Sequence, residues 1–239
     1  MGLVMNILIA IVVVMVLYWI FNWFTGGAST KLSGMKDGRQ SVTLAPNALP
    51  SNNNTNNYTY STWIYVNDWN YRFGEQKVVL ERRDSAKGSS PSLALGAMQN
   101  NLIVSTAVYP TNSGSSGTTS PINHTCTVDN IPLQRWVNII VSLNGRTMDV
   151  YINGKLTRTC VLPGVAKVNP SASIAITPNG GFSGWTSEST YRAKSINPQE
   201  AWNIYSQGFG GNMLSNLFNK YRVRVSFMED NVARGSFEI

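Results

Sequence analysis

From residue 3 to residue 24 the chain is apolar on every side. LVMNILIAIVVVMVLYWIFNWF carries no charge, its only amide side chains are Asn6 and Asn22, and the first charged residue of the protein is Lys31. A helix on the surface of a core would alternate apolar and polar faces. A run of this length instead spans the roughly 30 Å hydrocarbon core of a bilayer. Tyr18, Trp19 and Trp23 crowd its C-terminal third, where aromatic rings meet headgroups. The pattern predicts a single transmembrane anchor over residues 1–24. A cleaved signal peptide is the competing reading, and residues 25–29 (TGGAS) would supply small side chains for it. However, there is no basic n-region, the run exceeds a usual h-region, and Trp and Phe stand where cleavage needs small residues. MGLVMN also lacks the Ser or Thr that a myristoylation signal carries at its sixth position.

Residues 25–40, rich in Gly and Ser, read as a flexible spacer with a reach of about 50 Å if fully extended. The pattern then changes to period two. After a short strand at 41–44, stopped by Pro46, and a polar loop at 50–57, the segment 58–66 (YTYSTWIYV) is dense in β-branched and aromatic residues. Further strands are predicted at 76–81, 92–96, 101–107, 124–128, 136–143, 147–152, 155–162, 171–176 and 221–227. The last of these, YRVRVSF, should add a strand to one sheet. Asn144-Gly145 and Asn153-Gly154, each between apolar runs, predict type I′ hairpins, in which both central residues take positive φ. Residues 110–121 are a low-complexity loop. Asn197-Pro198-Gln199-Glu200 places a capping residue, a proline at N1 and a glutamate at N3 ahead of an apolar two-turn helix. A second short helix is expected at 212–220. Many short strands with regular turns indicate an all-β antiparallel sandwich or barrel carrying one or two short helices.

Composition narrows the class. About 210 residues follow the anchor, enough for one domain, 41–239, with a full core. Charged residues make up 13% and the net charge is +7, without a basic run, so no nucleic-acid partner is expected. A positive surface beside anionic lipid or an acidic partner accounts for the charge. Lys31, Lys36 and Arg39 follow the anchor while only the amino terminus precedes it, which places the domain on the cytosolic face. The two cysteines, Cys126 and Cys160, form a disulfide candidate, a pairing more typical of an exported domain. Asn53, Asn57 and Asn123 begin N-x-S/T sequons that matter only on a lumenal side.

Catalytic patterns are lacking. No carboxylates stand at the spacing of a catalytic pair, and Glu81 with Asp84, beside Arg82 and Arg83, reads as a charged turn. His124 is the lone histidine, without a G-x-S-x-G elbow, and reads as a surface residue. No phosphate loop is present, and two cysteines with one histidine do not make a structural zinc site. No cofactor or metal is expected. Loop Asp and Asn side chains offer oxygens for calcium, but no clustered Asp set supports it. The chain is therefore read as non-enzymatic. Trp69, Tyr71, Trp185 and Tyr191, in loop-like Gly/Asn-rich sequence, are the candidate contacts for a protein interface or a glycan.

Trp136-Val137-Asn138-Ile139-Ile140-Val141, followed by Val150-Tyr151-Ile152-Asn153-Gly154-Lys155, resembles the core of laminin-G-like domains of the concanavalin A-like jelly-roll superfamily. Tyr60-Ser61-Thr62-Trp63-Ile64 resembles an earlier strand of that family. Phe182-Ser183-Gly184, with residues 193–200 and 205–208, resembles its ending. The resemblance covers roughly 41–209 and leaves a C-terminal extension from about 210. It implies a jelly roll, and the paired carboxylates of the superfamily's glucanases are missing here. An N-terminal hydrophobic helix before such a domain is similar to minor capsid proteins of large icosahedral DNA viruses with an internal membrane. That similarity implies a virion protein tethering a shell to the bilayer, with lipid and other capsid proteins as partners and the domain facing the capsid. The alternative is a membrane-anchored lectin-like module that binds carbohydrate.

Overall fold

The computed structural model describes residues 9, 12–17, 29–50, 56–83, 88–110, 120–210, 224–229 and 232–238. Residues 9 and 12–17 are helical, and most of the predicted anchor lies outside the described residues. Among those described, no helix is long and apolar enough to cross a membrane.

The strands are, in chain order, β1 Thr30–Ser33, β2 Lys36–Asp37, β3 Val42–Leu44, β4 Tyr58–Asp68, β5 Lys77–Arg83, β6 Ser89–Leu95, β7 Leu102–Pro110 and β8 Ile122–Val128. There follow β9 Trp136–Asn144, β10 Thr147–Ile152, β11 Lys155–Val161, β12 Gly164–Ala166, β13 Ile174–Ile176 and β14 Ser183–Arg192. The helix Pro198–Ser206 comes next, then β15 Arg224–Glu229 and β16 Val232–Glu238. The first sheet runs β1-β14-β4-β9-β10-β11, with β2 also on β14; the second runs β12-β7-β6-β5-β13-β3, with β8 on the free side of β7. All the strand pairings are antiparallel, as the period-two pattern predicts.

The core lies between these sheets. Tyr60, Ile64 and Val66 of β4 and Val137, Ile139 and Val141 of β9 share one buried cluster with Leu80, Leu93, Leu102 and Val104 of the second sheet. The other face of the first sheet is covered too. Ile140 and Tyr151 pack with Ile196, Ala201 and Ile204 from the helix and its approach, and Trp63 stacks on Tyr205 at 5.5 Å. The helix starts as its sequence dictates: Asn197 Oδ1 accepts from the Glu200 amide at 2.8 Å, and Glu200 Oε2 accepts from the Asn197 amide at 3.0 Å.

Several expectations are corrected. Residues 25–40 are not spacer throughout: β1 and β2 pair with β14, and Leu32 is buried in the core. The reason is tertiary, since a short polar segment becomes a strand once a partner edge is offered. That edge, β14, is absent from the predicted strands because its period is hidden. Apart from Tyr191, its buried positions carry small side chains (Ser183, Gly184, Thr186, Ser187 and Ser189), with Ser189 Oγ 2.8 Å from Thr62 Oγ1. The Asn144-Gly145 hairpin turns one residue later: Asn144 pairs with Thr147, and of Gly145 and Arg146 only Gly145 has positive φ, the II′ pattern. Asn153 and Gly154 both have positive φ, as I′ requires. The strand predicted at 221–227 joins neither main sheet; β15 pairs with β16, its immediate neighbour in sequence and hence the least costly loop to close. Glu81 is not on a turn but buried within β5, and Asp84 lies outside the described residues. So do Asn53, most of the 110–121 loop and the helix expected at 212–220.

Cys126 of β8 and Cys160 of β11 are disulfide-bonded, with Cα atoms 6.2 Å apart. Each strand is the edge of its own sheet, so the bridge closes one side of the sandwich.

Candidate functional site

Three loops meet at one end of the sandwich: 69–76 after β4, 96–101 after β6 and 129–135 after β8. Their backbones lock together. Gly74 donates to Ala97 O at 3.0 Å, Ile131 to Asn100 O at 2.8 Å, and Gln134 to Val66 O at 2.9 Å. Asn130 and Gln134 hold positive φ, which lets the 129–135 loop fold back on the sheet. Gly96 is required where it stands, because a Cβ there would lie 2.6 Å from the Gln99 backbone carbonyl oxygen.

Between the loops lies an open cleft of about 680 Å³. Trp69 forms a wall, with Met98 and Leu133 as its apolar neighbours. Gln99, Asn100, Asn101 and Asn130 bring four amides, and Asp129 one carboxylate. Asn100 is pinned by its Nδ2 donating to Ile131 O at 3.2 Å. Beneath Trp69 sits Lys77, wholly buried, its Nζ 4.7 Å from the ring centroid. Burial pushes the Lys77 ammonium below its ordinary pKa, and nearby Arg72 pushes the same way, while Glu75 opposes them. The arrangement presents a flat aromatic surface ringed by amide donors and acceptors and one carboxylate. It suits a ligand with apolar C–H faces and many hydroxyls.

The four aromatic candidates part company. Trp69 lines the cleft. Tyr71 is committed to the scaffold: its hydroxyl donates to Gly180 O at 3.0 Å, and the Arg39 guanidinium lies 5.2 Å from its ring centroid. Arg72 clamps the same loop by pairing with Glu75 at 2.7 Å and donating to Asn179 O. Tyr191 is not a surface contact. It stands in β14, buried in the core 5.0 Å from Tyr60. Trp185 is also in β14 rather than a loop, on the outer face of the first sheet in register with Tyr65 and, beyond it, Trp136. It is half exposed and apart from the cleft. His124, half-buried in β8, is remote from any ligating set, since no three His, Cys, Asp or Glu converge among the described residues.

Asn100, Asn101, Asp129 and Asn130 were not singled out from sequence. Each looks like ordinary turn chemistry, and only the meeting of three loops makes them one wall.

Residues 36–193 match the family described as the concanavalin A-like lectin/glucanases superfamily, laminin-G type. No curated protein matches the chain. Solved structures with a similar fold include the botulinum neurotoxin serotype D ligand binding domain in complex with N-acetylneuraminic acid, at TM-score 0.54 and 14% identity over 77% of this chain and 46% of that one. The receptor binding domain of botulinum neurotoxin D follows at TM-score 0.53 and 15% identity, over 74% of this chain and 44% of that one. The chain thus spans less than half the length of these structures, and at such identity the likeness is one of fold.

Proposed function

The chain belongs to the concanavalin A-like lectin/glucanases superfamily, and we propose that it is a non-enzymatic, membrane-anchored module whose loop-end cleft binds carbohydrate. The observation that carries this reading is the cleft itself: Trp69 backed by Lys77, with Asn100, Asn101, Asn130 and Asp129 around it. A sugar ring lays its C–H face on the indole and its hydroxyls on the amides. The complex of a fold neighbour with N-acetylneuraminic acid is consistent with a glycan ligand. The anchor is the apolar run 3–24. The Cys126–Cys160 bridge favours an oxidising side of the membrane for the domain. Glycan-array binding by the full chain in lipid nanodiscs tests the reading. Binding of a defined glycan that weakens about tenfold or more, about 1.4 kcal/mol, on Trp69→Ala supports it. Absence of any glycan binding, or binding untouched by Trp69→Ala and Asn130→Ala, refutes it.

A second reading rests on a different observation. Basic residues Lys31, Lys36 and Arg39 flank only the C-terminal side of the run, which favours a domain on the cytosolic side. That side suits a viral minor capsid protein tying a protein shell to an internal membrane. Co-purification with virus particles, and retention in their membrane fraction after mild detergent, supports it. Protection of the domain from protease added to sealed right-side-out microsomes, or a glycan on Asn123, refutes it.

A further inference from the structure

The first sheet begins almost where the apolar run ends. Phe24 closes the run and Thr30 opens β1, already paired with Tyr191 of β14. Only residues 25–29 lie between, a reach of at most about 18 Å when extended. The headgroup layer itself occupies several ångströms of that reach. A domain leashed so short meets the bilayer with the edge that carries β1 and β2.

We propose that this edge is a lipid-docking surface, seated on the headgroups of the bilayer that holds the anchor and favouring anionic lipid. The proposal rests on the anchor reading given above. Its occupant follows from the side chains found there. Trp185 is 48% exposed and Met35 54% exposed, although both are large and apolar. Trp185 stands directly across from Asp37 of β2, and Met35 immediately precedes that strand. An indole half out of a protein is at home at headgroup depth, where its ring is shielded and its N–H hydrated. Lys31, Lys36 and Arg39 are exposed on the same edge. Lys31 is neutralised by Glu188 at 2.6 Å. Asp37 accepts from the Arg39 backbone amide at 2.8 Å. Lys36 and Arg39 form no ion pair with any described residue; the Arg39 guanidinium is held over the Tyr71 ring and donates to Ser183 Oγ at 3.0 Å. Three cations (Lys31, Lys36, Arg39) against two carboxylates (Asp37, Glu188) leave this edge a net excess of one positive charge. Such an excess is attracted to an anionic leaflet, and the attraction falls off within a Debye length of it. The opposite edge of the same sheet, β11, is closed by the disulfide.

Photo-crosslinking of the full chain tests this. Benzoylphenylalanine is placed singly at Trp185, at Met35, at Val161 on β11, and at Val14 within the apolar run. The protein is reconstituted in vesicles of phosphatidylcholine, with and without phosphatidylserine, and lipid adducts are read by mass spectrometry. Adducts at 14 together with several-fold more adduct at 185 and 35 than at 161 support docking. A further rise with phosphatidylserine, reduced at 185 but not at 14 by Lys36→Glu, supports the anionic preference. Adducts at 14 with no excess at 185 and 35 over 161 overturn docking while leaving the anchor intact. No adduct at 14 overturns the anchor, and docking with it.

Discussion

The ammonium of Lys77 lies 4.7 Å from the centre of the Trp69 ring, and Lys77 is completely buried beneath it. The lysine is a floor rather than a surface charge. Its stem fills space under the indole, while its Nζ donates, among the described residues, to the Glu75 carbonyl at 3.5 Å. The cation–π attraction to a desolvated ring works against the cost of burying the charge.

Truncation of that floor should therefore cost more than neutralising it. Lys77→Ala is expected to destabilise by about 2 kcal/mol through lost packing, and Lys77→Met by less than about 1 kcal/mol, because the stem survives. Urea titration followed by tryptophan fluorescence separates the two; equal losses would mean that the charge, not the stem, supports the ring.

The bridge between Cys126 and Cys160 spans 34 residues of sequence. Chain entropy assigns such a loop about 4 kcal/mol. Denaturation midpoints measured with and without reductant should differ accordingly, and the Cys126→Ala/Cys160→Ala protein should be indifferent to reductant. Free thiols in the native alkylated protein would contradict the pairing.

Alkaline pH should unfold the sandwich through its buried tyrosines. Burial pushes Tyr58 from 10.0 up to about 12, only partly offset by its hydrogen bond with Thr106, and Tyr60 is raised for the same first cause. The unfolded chain loses these protons first. Stability is thus fully present below pH 10 and falls as pH rises toward the folded values, by roughly 2–3 kcal/mol from Tyr58 alone. Tyr58→Phe should flatten that slope between pH 10 and 12 in thermal melts; an unchanged slope would remove Tyr58 as its source.

Gly154 joins the β10–β11 turn to the helix. Its φ is +72°, and a Cβ there would stand 2.9 Å from Tyr205 Cβ and 3.2 Å from Trp202 Cα. Gly145 has φ +59° with nothing within 4 Å. Gly154→Ala should cost about 3 kcal/mol, from strain and overlap together, and Gly145→Ala about 1–2 kcal/mol, from strain alone. Chemical denaturation compares them, and equal costs would mean the helix does not press on the turn.

Where a residue's neighbours in sequence decide its conformation, the sequence was legible. Val137, Ile139 and Val141 alternate with Asn138 and Ile140, so a strand with one apolar face could be read directly; that the helix buries its other face as well is a tertiary fact. Asn197, Pro198 and Glu200 specify a helix start through contacts within one turn, and Asn153-Gly154 specifies a hairpin through its own backbone. These are local preferences, and they carried the sandwich and the family likeness. What depends on distant partners was not legible. Thr30–Ser33 is a strand only because β14 offers an edge. β14 is itself a strand whose buried positions are satisfied by hydroxyl contacts such as Ser189 with Thr62, rather than by hydrophobic alternation. Tyr191 and Trp185, six residues apart on that strand, fall on opposite faces because one bulge, between Ser187 and Thr190, shifts its register. The cleft goes further: Trp69, Asn100 and Asn130 are ordinary loop residues until tertiary hydrogen bonds bring three loops together, and nothing in their own neighbourhoods along the chain encodes that meeting.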